Sequence, residues 1–405
     1  MFRITNCRKK TEGEFTNLIC DFQVTEIENP FTEETIWVSV EKKNADMLAD
    51  NVLDAFVLIP LILGMYYHQD VHIDGNISRR LYYNIQHYLM RIFDCFSDRT
   101  KPIQFTVNGF DSVTPASETL IGTGISCGVD SLVTIFDNYV NESDQAFRIN
   151  SLFFVNCGTH GDYESPESKR LFLERAKMNK ESAKELGLPC FLVDSNIHAF
   201  THKIGEQQIG YLAIYSCILS LQRYVHRYYT SSNYSYDEIG EFRNLSRDLD
   251  IAEYCESYMP HLISTENFEL VIDGCQYTRA QKVERISEWG FAKKNLNVCV
   301  SPNDGAKNCS ECHKCMWTMI PLEAMGKLDQ FKEVFDLSTY YRKAPFYKTS
   351  FLAHEGKHGM ESSIIRYAKE KGLPLSPKIV AKTKNFIYWR KQNVKKLFGT
   401  EDKKY

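Results

Sequence analysis

The sequence supplies no electric field of one sign. Its 48 Lys and Arg nearly balance 52 Asp and Glu, for a formal charge of −4, so any nucleic-acid surface has to be a local patch. It also supplies no long apolar run. The richest stretch, Val52 to Tyr67, carries Asp54 and Pro60 and falls short of the roughly 20 apolar residues that span a bilayer. It reads as a buried helix, and no membrane partner is expected. Met1-Phe2-Arg3 leads into a mixed polar stretch without the apolar segment of a secretory leader. Thirteen cysteines in that context point to a reducing, cytoplasmic setting, where clustered thiols hold metal more often than they pair. Internal repeats, low-complexity tracts and a Gly-Lys-Ser/Thr phosphate loop are all missing.

What is present is an ordinary globular composition, 43% hydrophobic and 25% charged over 405 residues, enough for two domains and a large core. Three stretches are distinguishable. Residues 1–115 read as an α+β module: strands at Phe2–Cys7, Leu18–Val24 and Thr35–Val40, an apolar helix at Ala45–Tyr67 and a strand at Val71–Asp74. A helix then follows Ser78, with Leu81, Ile85, Tyr88 and Leu89 at helical spacing, and a strand at Ile103–Val107 closes the module. Residues 116–330 alternate. Strands are predicted at Leu120–Ile125, Ser151–Val155, Cys190–Val193, Val225–Tyr229 and Phe268–Ile272. Helices are predicted at Val129–Tyr139, Pro166–Leu186, Ile209–Tyr224 and Ala280–Trp289, with Ser165 as an N-cap and Pro166 at the first helical position. That alternation predicts an α/β fold, a parallel sheet sandwiched by helices. Residues 331–405 read as a helical, Lys-rich C-terminal extension.

The first α/β strand runs through Gly122, Gly124 and Ile125 into Ser126-Cys127-Gly128-Val129-Asp130-Ser131, where a helix begins. Small residues there let backbone N–H groups approach phosphate oxygens, and the helix start adds a positive dipole end. Ser126 and Ser131 offer hydroxyls, and Asp130 offers a carboxylate for Mg²⁺. Cys127 reads either as a residue small enough to stand for glycine or as a thiol activated by the helix start. Further on, Cys299, Cys309, Cys312 and Cys315 form C-x9-C-x2-C-x2-C. Four protein ligands imply a closed, structural zinc site, with an iron–sulfur cluster or a redox dithiol as alternatives. His313 lies inside the pattern and could replace one thiolate, but with four cysteines available it reads as a bystander.

The loop resembles the Ser-Gly-Gly-X-Asp-Ser loop of the PP-loop ATP pyrophosphatases, with Cys127 in place of a glycine. Loop and cysteine cluster, about 170 residues apart and in this order, resemble the 7-cyano-7-deazaguanine synthase family. The similarity covers roughly residues 118–330. It implies ATP and Mg²⁺ as cofactors, structural Zn²⁺, and adenylation of a substrate with release of pyrophosphate and then AMP, forming a C–N bond. It also implies that Gly124 to Ser131, with Val155, Asn156 and Cys157 after the second strand, border the nucleotide. The segment Tyr277-Thr278-Arg279-Ala280 resembles the family's Thr-Lys-Ala segment, which makes Arg279 a cation near the phosphates, although Arg and Lys are not equivalent. Gly205-Glu206-Gln207 stands where the family has Gly-Arg-Asn, a reversed charge. The flanking segments resemble those of larger synthase-like proteins from bacterial gene clusters, antiviral defence systems among them.

Other residues fall near expected strand ends. Asp162, Asp194, His198 and His202 could border the site, and the two histidines stand four apart as helical metal ligands would. Asp237 is a candidate for facing the acceptor. Between Lys378 and Lys404, basic residues surround Phe386, Ile387, Tyr388 and Trp389. This is either a nucleic-acid grip or an amphipathic helix packed on the core. The expected partners are ATP and a small-molecule or nucleobase acceptor, with a protein acceptor, nucleic acid and a homodimer as open alternatives. A PP-loop tRNA-modifying enzyme and a nucleotide-sensing scaffold are the competing functional readings.

Overall fold

The computed structural model describes residues 1–158, 165–204, 210–243, 256–299, 307–357 and 359–375. The chain divides into two compact units. The first comprises Met1–Ser126, Thr134–Ser232 and Asp248–Asp273. The second comprises Cys127–Val133, Asn233–Arg247 and Gly274–Tyr405.

The first unit is built on one ten-stranded sheet. Its strands in chain order are β1 (Phe2–Glu12), β2 (Phe15–Val24), β3 (Thr35–Glu41), β4 (Val71–Ile77), β5 (Phe105–Phe110), β6 (Leu120–Gly124), β7 (Ser151–Val155), β8 (Cys190–Ser195), β9 (Val225–Ser231) and β10 (Glu269–Asp273). Across the sheet they run β10-β9-β6-β7-β8-β3-β2-β1-β4-β5. The five strands from β10 to β8 are mutually parallel, as are β1, β4 and β5. The joins β8–β3, β3–β2 and β2–β1 are antiparallel. The fold is therefore α/β with a large, mostly parallel sheet flanked by helices. The sequence stretches 1–115 and 116–330 do not separate here, because strands of both share this sheet.

The reason for the parallel half is visible in its strands. Residues Leu120–Thr123 and Ser151–Phe154 are buried without alternation, as strands covered on both faces must be. At Gly122 a Cβ would stand 2.3 Å from the Phe153 ring, so glycine is required there. The helix Pro166–Leu186 that follows β7 starts with proline at its first position and ends at Gly187, left-handed at φ +74°. Ser165 occupies the N-cap position but makes no capping hydrogen bond.

The expected single helix Ala45–Tyr67 is instead two short 3₁₀ turns, Lys42–Met47 and Asp54–Phe56, followed by the helix Leu58–Tyr67. Pro60 sits in the first turn of that helix, where its missing N–H has no partner to lose. Likewise the helix after Ser78 comes in three parts, Arg79–Asn84, a wide π turn Ile85–Leu89, and Met90–Phe96. Apolar residues from β1–β4, the Leu58–Tyr67 helix and the Gly210–Leu219 helix share one core.

Among the described residues, the regular elements of the second unit are all helices. Its helices are Tyr236–Arg243, Arg279–Ile286, Gly290–Asn295, His313–Ala324, Leu337–Ala353 and Gly359–Glu370, and the start of the helix Val129–Ile135 also belongs to it. Thr278 and Gln281 form a reciprocal capping box at the start of Arg279–Ile286. That helix packs on His313–Ala324, and Gly359–Glu370 packs on both. The C-terminal extension is thus helical over its described part; the basic stretch Lys378–Lys404 lies outside the described residues.

Candidate functional site

The loop after β6 has an unusual backbone. Ile125 N–H still donates to the Phe153 carbonyl at 2.9 Å. Two residues on, Cys127 is left-handed at φ +56°, a conformation that costs a non-glycine residue roughly 1 kcal/mol. The thiol is therefore tolerated where the backbone asks for glycine, and it is buried. The Cys127 carbonyl accepts from Asn297 N–H at 2.7 Å, and the Gly128 carbonyl accepts from Leu132 N–H at 3.0 Å. Ser131 Oγ also donates to the Gly128 carbonyl at 3.1 Å, which turns its hydroxyl back along the helix. Val129 opens the helix and is fully buried.

Asp130 is the centre of the second unit's charge. Its Oδ2 accepts from Arg279 Nη1 at 2.7 Å and its Oδ1 from Lys282 Nζ at 3.1 Å. The two cationic side chains are 5% and 1% exposed, against 20% for Asp130. Burial pushes the Asp130 carboxyl upward, but the Arg279 and Lys282 charges, with Lys314 further out, outweigh it and hold the group below the usual carboxylate range. Each oxygen thus accepts one hydrogen bond from a cation and keeps a second lone pair.

Arg279 has further neighbours. Its Nη2 lies 3.5 Å from Thr318 Oγ1, while its Nε is buried without a hydrogen-bond partner among the described residues. Its backbone N–H points to Glu238 Oε1 at 3.4 Å. Glu238 is fully buried. It accepts from Ser235 N–H at 2.9 Å, returns its own N–H to Ser235 Oγ at 3.1 Å, and accepts the Ser363 hydroxyl. Lys282, Glu238, Thr318 and Ser363 did not emerge from the sequence. Two signals were available: Arg279 and Lys282 stand three apart on one helix face, and Ser235-x-x-Glu238 spells a capping box. Asp237, the expected acceptor-facing acid, is exposed at the first turn of its helix.

The four cysteines converge. Cys299 Sγ and Cys312 Sγ are 3.9 Å apart, as are Cys309 Sγ and Cys315 Sγ, and all four sulfurs lie within 4.8 Å of one another. A tetrahedron with metal–sulfur bonds of about 2.3 Å has edges of about 3.8 Å, whereas a disulfide needs about 2.05 Å. The cluster therefore has the dimensions of a metal site. Cys312 N–H donates to Cys309 Sγ at 3.3 Å, and Ser310 between them is left-handed at φ +59°, which closes the turn. Cys312 holds the N-cap position, without a capping hydrogen bond, and Cys315 lies in the first turn of the helix His313–Ala324, whose positive end favours thiolates. The Cys312 thiol, with Cys315, draws Cys299 well below the ordinary thiol range. His313 turns its ring edge-on to Tyr347 at 5.0 Å, outside the sulfur group. Lys314, whose charge acts on Asp130, lies between Cys312 and Cys315, and Thr318, beside Arg279, lies one turn further along the same helix.

The remaining candidates belong to the first unit. Val155 ends β7. Asn156 N–H donates to the Val193 carbonyl at 2.8 Å, and its side-chain amide donates to Asp194 Oδ1 at 2.7 Å. Burial raises the Asp194 carboxyl against the pull of hydrogen bonds from Asn156 and Ser195. Cys157 is buried. Gly158, at φ +108°, packs so tightly that a Cβ would meet His198 Cδ2 at 2.5 Å. The His198 and His202 rings are 5.7 Å apart, and among the described residues they join no group of three potential metal ligands. Asp162 and Glu206 lie outside the described residues. No protein-family model, curated protein or solved structure matches the chain.

Proposed function

We propose that the chain is an AMP-forming PP-loop enzyme, akin to the 7-cyano-7-deazaguanine synthases, that binds ATP on Gly124–Ser131 and adenylates an acceptor. The observation that carries this reading is the strand order β10-β9-β6-β7-β8. Chain order reverses at β6, and in parallel sheets ligands gather at the carboxyl end of the strand where it reverses. The Ser126–Ser131 loop follows that strand directly.

In this reading the acceptor's carboxylate oxygen attacks the α-phosphorus, the bond to the bridging oxygen breaks, and pyrophosphate leaves with the electron pair. A nitrogen nucleophile then displaces AMP to form the C–N bond. Arg279 and Lys282 neutralise the growing charge on pyrophosphate, and Arg279 has a spare Nε–H for it. Glu238 and Thr318 fix the Arg279 side of the cluster. Asp130 would offer its remaining lone pairs to the Mg²⁺ that accompanies ATP. Zn²⁺ fits Cys299, Cys309, Cys312 and Cys315 as a closed structural ion, and it supplies rigidity to the start of the helix His313–Ala324 rather than chemistry.

The test is product analysis. Purified protein with ATP and a panel of deazapurine carboxylates and ammonia should yield AMP and pyrophosphate. ADP and orthophosphate would sink the mechanism. Arg279→Ala should lower turnover by about 10²-fold or more, the scale of losing one transition-state donor.

A further inference from the structure

The first unit contains a second pair of thiols with no part in the proposed reaction. In β1 and β2 the pairing runs Ile4↔Phe22 and Thr5↔Asp21, then resumes at Arg8↔Ile19. Asn6 and Cys7 together therefore oppose Cys20, which is a β-bulge. Asn6 is left-handed at φ +55° and exposed, and its amide donates to Asp21 Oδ2 at 2.9 Å, on the face away from Cys20. The extra residue resets the alternation, so Cys7 takes the face that Asn6 would otherwise have held. Cys7 packs against the same core cluster that contains Cys20. Without the bulge the two thiols would stand on opposite faces.

We propose that Cys7 and Cys20 form a peroxide-oxidisable dithiol, with Cys7 as the attacking sulfur and Cys20 as the resolving one. Opposed residues on neighbouring strands have Cα atoms about 4.5–5.5 Å apart, within the roughly 4.4–6.8 Å that a disulfide spans. The two thiols differ in access. Cys20 is completely buried, while Cys7 is half-buried. β4 pairs only with Phe2–Ile4 of β1, so among the described residues the Cys7 end of β1 has no strand on that side. The groups facing Cys7 favour its thiolate on balance. The Cys20 S–H and the Arg8 and Lys9 charges stabilise it, against burial and Asp50, and Asp50 is itself paired with Lys9 at 3.1 Å.

The chemistry is a two-electron oxidation by a hydroperoxide. The Cys7 thiolate attacks the distal peroxide oxygen; the S–O bond forms, the O–O bond breaks, and the alkoxide or hydroxide that leaves takes up a proton. Cys20 sulfur then attacks Cys7 sulfur. The S–S bond forms, and the sulfenic hydroxyl departs as water with the Cys20 proton. The sum is two thiols and one hydroperoxide giving one disulfide, one alcohol or water, and one water.

The full chain is treated with hydrogen peroxide, alkylated, digested and read by mass spectrometry. The expected result is a Cys7–Cys20 linked peptide, two hydrogens lighter than its parts, that disappears with dithiothreitol. In Cys20→Ala the reaction should stop at Cys7 sulfenic acid, captured by dimedone, and in Cys7→Ser neither product should form. Recovery of both cysteines alkylated, at peroxide levels that oxidise a free-cysteine peptide, would overturn the proposal. So would Cys7 linked to any other cysteine. If Cys20→Ala does not fold, the wild-type and Cys7→Ser digests decide the matter alone.

Discussion

Asp54 is fully buried and Asp130 half-buried, one in each unit, and the two acids are kept in opposite ways. Asp54 is fully buried among neutral donors: Ser78 N–H at 2.8 Å, the Ser78 hydroxyl at 2.5 Å and Gln222 Nε2 at 2.8 Å, with Thr265 holding Gln222 in turn at 2.9 Å. Burial wins there and raises its carboxyl, despite three hydrogen bonds. Asp130 has fewer donors, but they are cations, and its carboxyl falls. Hydrogen bonds alone do not replace water around a charge; a paired charge does. The first arrangement fixes a fold. The second assembles buried positive charge that a ligand's phosphates could share.

The comparison can be broken in five ways, from the largest effect down. Removing metal should cost the second unit most. Structural zinc is worth roughly 10 kcal/mol or more to small domains. Chelation or Cys312→Ser should therefore abolish bound metal by elemental analysis and shift the unfolding of this unit, while the first unit's circular dichroism persists. Asp130→Ala comes next. It leaves Arg279 and Lys282 buried side by side and should lower unfolding stability by about 3–5 kcal/mol, measured in urea. Lys282→Met in that background should recover part of the loss. If Asp130→Ala costs no more than an exposed aspartate substitution, the cluster is not the charge centre described here.

Asp54→Asn should cost about 1–3 kcal/mol, since the amide retains the shape but accepts fewer of the three donated bonds. The pH profiles should then separate the two acids. Asp130, depressed in the fold, contributes stability above its unfolded value of about 3.9, and this is lost as pH falls through the folded value. Asp54, raised in the fold, contributes fully below about 3.9, and its contribution is lost as pH rises through the folded value. Relative to wild type, Asp130→Asn should therefore flatten the acid limb of a urea-midpoint curve. Asp54→Asn should gain relative stability as pH rises; identical slopes for the two variants would refute the contrast. Smallest of all, Cys127→Gly should change stability by under about 1 kcal/mol, because relief at φ +56° offsets lost thiol burial.

The sequence made the parallel half of the sheet legible because its signals are local. The β7 bounds Ser151–Val155 follow from a continuous apolar run, and the Pro166–Leu186 helix from proline at one end and glycine at the other. The 45–67 stretch misled because an all-round apolar run carries no period, and the burial of Asp54 depends on Ser78 and Gln222, 24 and 168 positions away. The cysteine cluster was legible from spacing. The cation pair on Asp130 was half legible: Arg279 came from a resemblance, whereas Lys282 looked like any surface lysine until its partner, 152 positions earlier, was placed beside it.

The antiparallel join between β3 and β8 has a consequence for anyone trimming the protein. Val38, Ser39 and Val40 pair with Ser195, Asp194 and Val193. Asn196 prolongs the ladder with its side chain, accepting from Trp37 N–H at 2.8 Å and donating to the Thr35 carbonyl at 2.6 Å. A chain started near residue 116 would strip this cover and leave Val193-Asp194-Ser195 as an open strand edge, a template for pairing with other chains. The N-terminal segment thus shields an edge of the parallel strands, and shortened versions are expected to aggregate on expression.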